Sequence, residues 1–137
     1  LEVLSPPESG LAGNDNSNSL VVAIKHAGQV VLLPGDLESV GMTRLLGQPA
    51  LDTSVVMAPH HGSAHSEPHS FVAWSTPEFV VVSGGSQRVR EEALAAFQSD
   101  GNRLLRTDRD GAIRFVLDRR GIEVMTWGGR NWEVPGD

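Results

Sequence analysis

Three runs of consecutive apolar residues constrain the fold of this chain more than any other feature: Val30-Val31-Leu32-Leu33, Val55-Val56-Met57 and Phe79-Val80-Val81-Val82. A strand with one wet face alternates apolar and polar side chains, whereas a strand apolar on successive residues is buried on both faces. After each run comes a segment with helical character: Leu37 to Leu46, ended by Gly47; about Glu67 to Trp74, with Ser66 as its N-cap; and about Val89 to Gln98. Strands alternating with helices predict repeated βαβ units and an α/β fold. Right-handed crossovers advancing in one direction put all three helices on the same side of the sheet. The other face is then bare, and something outside this chain is expected to cover it.

The flanks are less regular. Residues 5 to 19 are small, polar and rich in breakers, which predicts a loop. Leu20 to Lys25 and Gln29 to Leu33 read as a hairpin about His26-Ala27-Gly28. Leu104-Leu105 opens a strand reaching Thr107, and Asp108-Arg109-Asp110-Gly111 reads as a turn. Ala112 to Leu117 and Ile122 to Trp127 form a last hairpin, and the tail from Gly128 to Asp137 is polar and expected to be loose. The length suits one domain of ordinary size, and there is no internal repeat and no inter-domain linker.

Composition removes several classes of function. A net charge of −6 argues against a basic phosphate-tracking surface over the whole domain. The absence of cysteine excludes disulfides and thiolate metal sites, so any metal needs histidine and carboxylate ligands. No apolar stretch is long enough to span a bilayer. The start, Leu1-Glu2-Val3-Leu4, lacks the features of a signal peptide and reads as part of something longer.

Chemistry-bearing residues gather in three places: Pro34-Gly35-Asp36, Pro59-His60-His61-Gly62-Ser63, and Thr107-Asp108-Arg109-Asp110-Gly111. The first two follow predicted parallel strands. Sites in open α/β sheets collect beyond the carboxyl ends of strands, so Asp36, His60 and His61 are expected on one rim. A carboxylate converging with imidazoles suits Zn²⁺, Mn²⁺ or Fe. The plainer alternatives are a helix N-cap for Asp36 and backbone satisfaction for the histidine pair. His61, His65 and His69 are spaced by four, but Gly62 and Pro68 argue against one helical stripe, and His65 and His69 are expected to be exposed. His26 is expected to be solvated, and Asp108 and Asp110 to build a tight turn. Ser63 has no evident base and acid partners, which leaves a serine-hydrolase reading weak.

The ordered set of Asn18-Ser19-Leu20-Val21-Val22 before a hairpin, Gly35-Asp36, Pro59-His60-His61-Gly62-Ser63, and Arg106-Thr107-Asp108-Arg109-Asp110-Gly111-Ala112-Ile113 resembles the competence proteins of the ComEC type, which internalise DNA. The resemblance covers roughly residues 1 to 127 and matches the second half of their C-terminal metallo-β-lactamase-like domain. It implies half of an αββα sandwich, a mixed β-sheet with helices on one face, within a bacterial cytoplasmic-membrane protein and on the outer side of that membrane. It also implies a metal-dependent nuclease acting on DNA. Carried over by position, Asp36 matches the metal-bridging aspartate, and His60 and His61 match the second active-site segment. Asp36 and His61 are the implied catalytic residues, and Asp36, His60 and His61 the implied metal ligands.

Three departures bear on activity. The family's HxHxDH motif belongs to the first half of the domain and is absent here. The histidine of a later Gly-His-Pro segment is also missing, where this chain reads Ser83-Gly84-Gly85-Ser86-Gln87-Arg88. The usual Thr-Gly-Asp has become Pro34-Gly35-Asp36. The resemblance thus implies Zn or Mn in the intact domain but no metal and no activity in this chain alone. The second reading is an inactive α/β module for assembly or DNA positioning. The expected partner for the bare sheet face is the missing N-terminal half of the domain or a second copy of this chain.

Overall fold

A computed structural model describes residues 1–84, 91–98 and 101–136. The main sheet has six strands in sequential order: β1 (Glu2–Ser5), β2 (Val21–His26), β3 (Gln29–Leu33), β4 (Val55–Met57), β5 (Phe79–Val82) and β6 (Arg103–Arg106). β2 runs antiparallel to its neighbours β1 and β3, and β3 to β6 are parallel. Along the parallel half, Val31 pairs with Val55, Val55 with Phe79 and Phe79 with Arg103, a constant step of 24 residues. The hairpin turn is Ala27-Gly28, both with positive φ, the two-residue geometry that matches strand twist.

The crossovers are α1 (Ser39–Leu46), α2 (Pro68–Ser75) and α3 (Glu91–Phe97). α1 starts two residues later than expected: Leu37 is drawn into the core instead, and Glu38 takes the cap position without capping. Ser66 is not the cap of α2. Its hydroxyl donates to the carbonyls of Ser63 and Pro59, and Glu67 precedes the helix in a left-handed conformation. The expected start of the third helix, Val89 and Arg90, lies outside the described residues.

As expected, all three helices pack on one face of the sheet. Met42, Leu45, Phe71, Val72, Trp74, Leu94 and Phe97 join Val21, Ala23, Leu32, Val56, Val80 and Val82 in one core. Loop 5–19 contributes a single turn at Asp15–Asn18 that lies against α1. That approach requires Gly41, because a Cβ there would overlap the Ser17 carbonyl oxygen and come within 2.7 Å of Leu37 Cδ1.

The opposite face is not bare as expected. After β6, the single helical turn α4 (Thr107–Asp110) leads into β7 (Ile113–Asp118), β8 (Gly121–Thr126) and β9 (Asn131–Pro135), a second, antiparallel sheet. Val55, Phe79, Val81 and Leu105 form a second core with Ile122 and Val124, joined by Phe115, Trp132 and Val134. The expected loose tail is therefore β9, paired with β8 throughout its length. The arrangement is mixed α/β in three layers: helices, main sheet, small sheet. What stays open on that face is a stripe on the antiparallel half, where Val3 (53 % exposed), Ile24 (37 %) and Leu33 (38 %) flank Val22.

Candidate functional site

The carboxyl ends of the four parallel strands open onto one rim. There β3 ends in Pro34-Gly35-Asp36, β4 in Ala58 to His61, β5 in Ser83-Gly84, and β6 in Thr107 at the start of α4. Gly35 has φ +58, and its carbonyl accepts the His60 N–H at 3.0 Å, which fastens the first two segments together. His60 and His61 follow with φ/ψ of 48/47 and 55/27, two successive non-glycine residues in left-handed geometry. Each such residue costs about 1–3 kcal/mol and persists only where surrounding contacts hold it.

Those contacts separate the two imidazoles. His61 Nδ1 lies 2.8 Å from the Ser83 carbonyl oxygen. A carbonyl can only accept, so Nδ1 carries the proton and the Nε2 of a neutral ring keeps its lone pair. Nε2 lies 3.7 Å from Asp36 Oδ1, and both side chains are about half exposed. The carbonyl at Nδ1 is the kind of outer partner that fixes the tautomer of a metal-binding histidine.

His60 has a different acceptor. Its Nδ1 donates to Glu38 Oε2 at 2.9 Å, and Glu38 Oε1 also accepts from Asn14 Nδ2 and Asn16 Nδ2 at 3.0 and 3.2 Å. The Asn14 hydrogen bond, followed by those of Asn16 and His60, holds the Glu38 carboxyl below its ordinary range despite its burial. His60 thus ties β4's loop to α1 and to loop 5–19.

The structure brings Asp36 and His61 together and sets Asp36 two residues short of the α1 cap position. His65 and His69 are exposed, as expected, in the turn Ala64–Ser66 and on α2. His26, also exposed, sits at the far end of the sheet, paired with Gln29. Asp108 and Asp110 build a turn, in helical form. Asp108 receives a two-pronged bond from Arg106 at 3.0 and 2.7 Å. Hydrogen bonding to that guanidinium holds the Asp108 carboxyl low. Buried Asp110 accepts from the Arg106 backbone N–H at 2.8 Å and from the Arg130 guanidinium. Among the described residues no group of three or more His, Asp or Glu side chains could hold a metal ion. The donor pair suits a borderline divalent cation, but a catalytic zinc centre takes three protein ligands and an open position. The described residues therefore do not make a complete centre.

Glu38 and Ser83 were missed from sequence, whereas Thr107 opens the third segment marked there. Ser83 acts through a backbone carbonyl, and Glu38 reaches His60 across 22 residues, so no local spacing marks either one. Gly85 to Arg88, where the family's later histidine would fall, lie outside the described residues.

No family model matches the chain. It is similar to the competence protein ComA of Neisseria gonorrhoeae, 34% identical over 118 residues, and to the ComE operon protein 3 of Bacillus subtilis (strain 168), 31% identical over 123 residues. These matches take in 82% and 86% of this chain but only 17% and 16% of the relatives, so the chain spans about a sixth of their length. Among the described residues no helix is long and apolar enough to cross a membrane.

Proposed function

We propose that this chain is the C-terminal half of a metallo-β-lactamase-like hydrolase carried by a DNA-uptake protein, and that the complete domain cleaves DNA phosphodiesters on the outer side of the bacterial cytoplasmic membrane. The observation that carries this reading is the meeting of Asp36 and His61. A carboxylate oxygen and an imidazole lone pair face each other across 3.7 Å at the ends of adjacent parallel strands. The similarity to a competence protein and to a ComE operon protein supports a setting in DNA uptake.

In this reading Asp36 and His61 supply part of the ligand set for Zn²⁺ or Mn²⁺, and His60 holds the loop through Glu38. The remaining ligands come from the preceding half of the domain. The chemistry such an ion supplies is acidification of water and neutralisation of charge on a phosphodiester. This chain's own contribution is to orient His61 and to place the Asp36 carboxylate opposite it.

The shortage of ligands favours a second reading, an inactive α/β module kept for assembly or for positioning DNA. One experiment separates the two. A protein extended upstream to the full domain is loaded with Mn²⁺ and given plasmid DNA, beside its Asp36→Asn, His61→Ala and His26→Ala variants. The hydrolase reading expects cleavage that survives only in His26→Ala. Cleavage that persists in Asp36→Asn, or a full domain that neither binds metal nor cuts, supports the inactive module instead.

A further inference from the structure

One contact on the rim has no part in the ligand pair itself. The Gly84 N–H donates to Thr107 Oγ1 at 3.1 Å, joining the end of β5 to the first residue of α4. The residue before Gly84 is Ser83, whose carbonyl receives His61 Nδ1–H. Gly84 also lies against the imidazole's root, since a Cβ there would stand 3.7 Å from His61 Cβ. The Ser83-Gly84 peptide is thus fixed on one side by Thr107 and offers its carbonyl to His61 on the other.

The mounting of Thr107 is stiff. α4 is one turn long, with the Gly111 N–H bonded to the Thr107 carbonyl at 3.1 Å. It is cross-braced by Asp110, which takes the Arg106 N–H before the turn and the Arg130 side chain from the small sheet. The Gly128 N–H donates to the Asp110 carbonyl and the Trp127 N–H to that of Ala112, at 3.1 and 2.8 Å. These bonds lock α4 to the small sheet.

We propose that Thr107 is a positioning residue for His61. Its hydroxyl anchors the Ser83-Gly84 peptide so that the Ser83 carbonyl holds His61 in the Nδ1–H tautomer, with Nε2 turned to Asp36. The proposal rests on the reading of Asp36 and His61 as a ligand pair, but its consequence exists in the metal-free chain. A neutral histidine left to water prefers the other tautomer, with the proton on Nε2 and no lone pair there for a cation. Without Thr107 the peptide can rotate, and the imidazole loses the acceptor that selects its tautomer.

The test is the tautomer itself, read from ¹⁵N shifts and long-range ¹H–¹⁵N correlations of the ring. The chain is labelled at histidine, kept free of metal, and studied at a pH high enough that the ring shifts no longer change with pH, so that the ring is neutral. The His61 signals are identified by their loss in His61→Gln. Wild type is expected to show the Nδ1–H form as the majority. Thr107→Val, which keeps the shape and removes the acceptor, is expected to shift the ratio toward Nε2–H by about two- to tenfold, the range one ordinary hydrogen bond commands. Thr107→Ser is expected to restore it. A wild-type His61 found mainly as Nε2–H overturns the proposal without any variant. So does a folded Thr107→Val chain with an unchanged ratio. If Thr107→Val does not fold, Thr107→Ser against Thr107→Ala in the same measurement decides. None of these outcomes depends on nuclease activity, so a failed hydrolase reading and a failed positioning role remain separate results.

Discussion

Trp132 measures how firmly the last strand belongs to the fold. It sits on β9, packed on the second core, with its ring 6.5 Å from that of fully buried Phe79 at 69°. The Arg130 guanidinium lies 5.1 Å from its centroid. Truncating a fully buried Trp to alanine costs about 3–5 kcal/mol, so a half-buried one costs roughly half of that. The edge-on contact with Phe79 adds about 0.5–1.5 kcal/mol. The partly exposed cation–π contact adds about 0.5 kcal/mol. Trp132→Ala is thus expected to remove about 2.5–4.5 kcal/mol, a large share of the roughly 5–15 kcal/mol of a domain. In urea titrations followed by far-UV circular dichroism this lowers the midpoint by about 1–2 M. Trp127, 87 % exposed on the adjoining turn, is the control, and Trp127→Ala is expected to stay within about 0.5 kcal/mol of wild type. A midpoint for Trp132→Ala equal to that of Trp127→Ala would show that β9 is not seated on Phe79, and with it that the small sheet does not cover this face.

Gly41→Ala is expected to destabilise by more than the ~1 kcal/mol that alanine adds in helix propensity, because its Cβ meets the Ser17 carbonyl; calorimetry showing a raised Tm would contradict this. The chain alone is expected to bind Zn²⁺ or Mn²⁺ weakly or not at all and to cut no DNA. A stoichiometric metal retained through chelator-free purification, or Mn²⁺-dependent cleavage that vanishes in Asp36→Asn, would reverse both statements. The stripe of Val3, Val22, Ile24 and Leu33 is expected to draw two copies of the isolated chain together. Sedimentation at micromolar concentration should then show a dimer that Ile24→Thr with Leu33→Thr converts to monomer, and a wild-type monomer would rule it out.

The parallel half of the sheet was legible because burial on both faces leaves an unbroken apolar run. All four residues of β5 are buried, and they are the four that the sequence marks. β1 was not legible: four residues with only Ser5 buried carry no pattern, and the strand exists through its pairing with β2. β9 did carry a signal. Trp132 and Val134 alternate with exposed Asn131, Glu133 and Pro135, the period of a half-buried strand, but surrounding glycines and charges suggested a solvated tail. Overlooking it also left the sheet face apparently bare. In the site, the position of Asp36 and His61 followed from strand ends alone. The different partners of His60 and His61 did not, since Glu38 and the Ser83 carbonyl lie far from them in sequence.

The constant 24-residue step between parallel partners has a consequence for how the sheet assembles. The entropy lost in closing a loop depends on its length, and only logarithmically. Three crossovers of equal length therefore carry equal closure penalties, and chain geometry alone gives none of the parallel pairings a head start. What breaks the tie is side-chain content. β5 buries every residue between two neighbours, while β3 buries only Leu32 and β6 only Leu105 and Arg106. Burial is thus densest in the middle of the sheet, at the β4–β5 pairing, with the hairpin and the small sheet on either side.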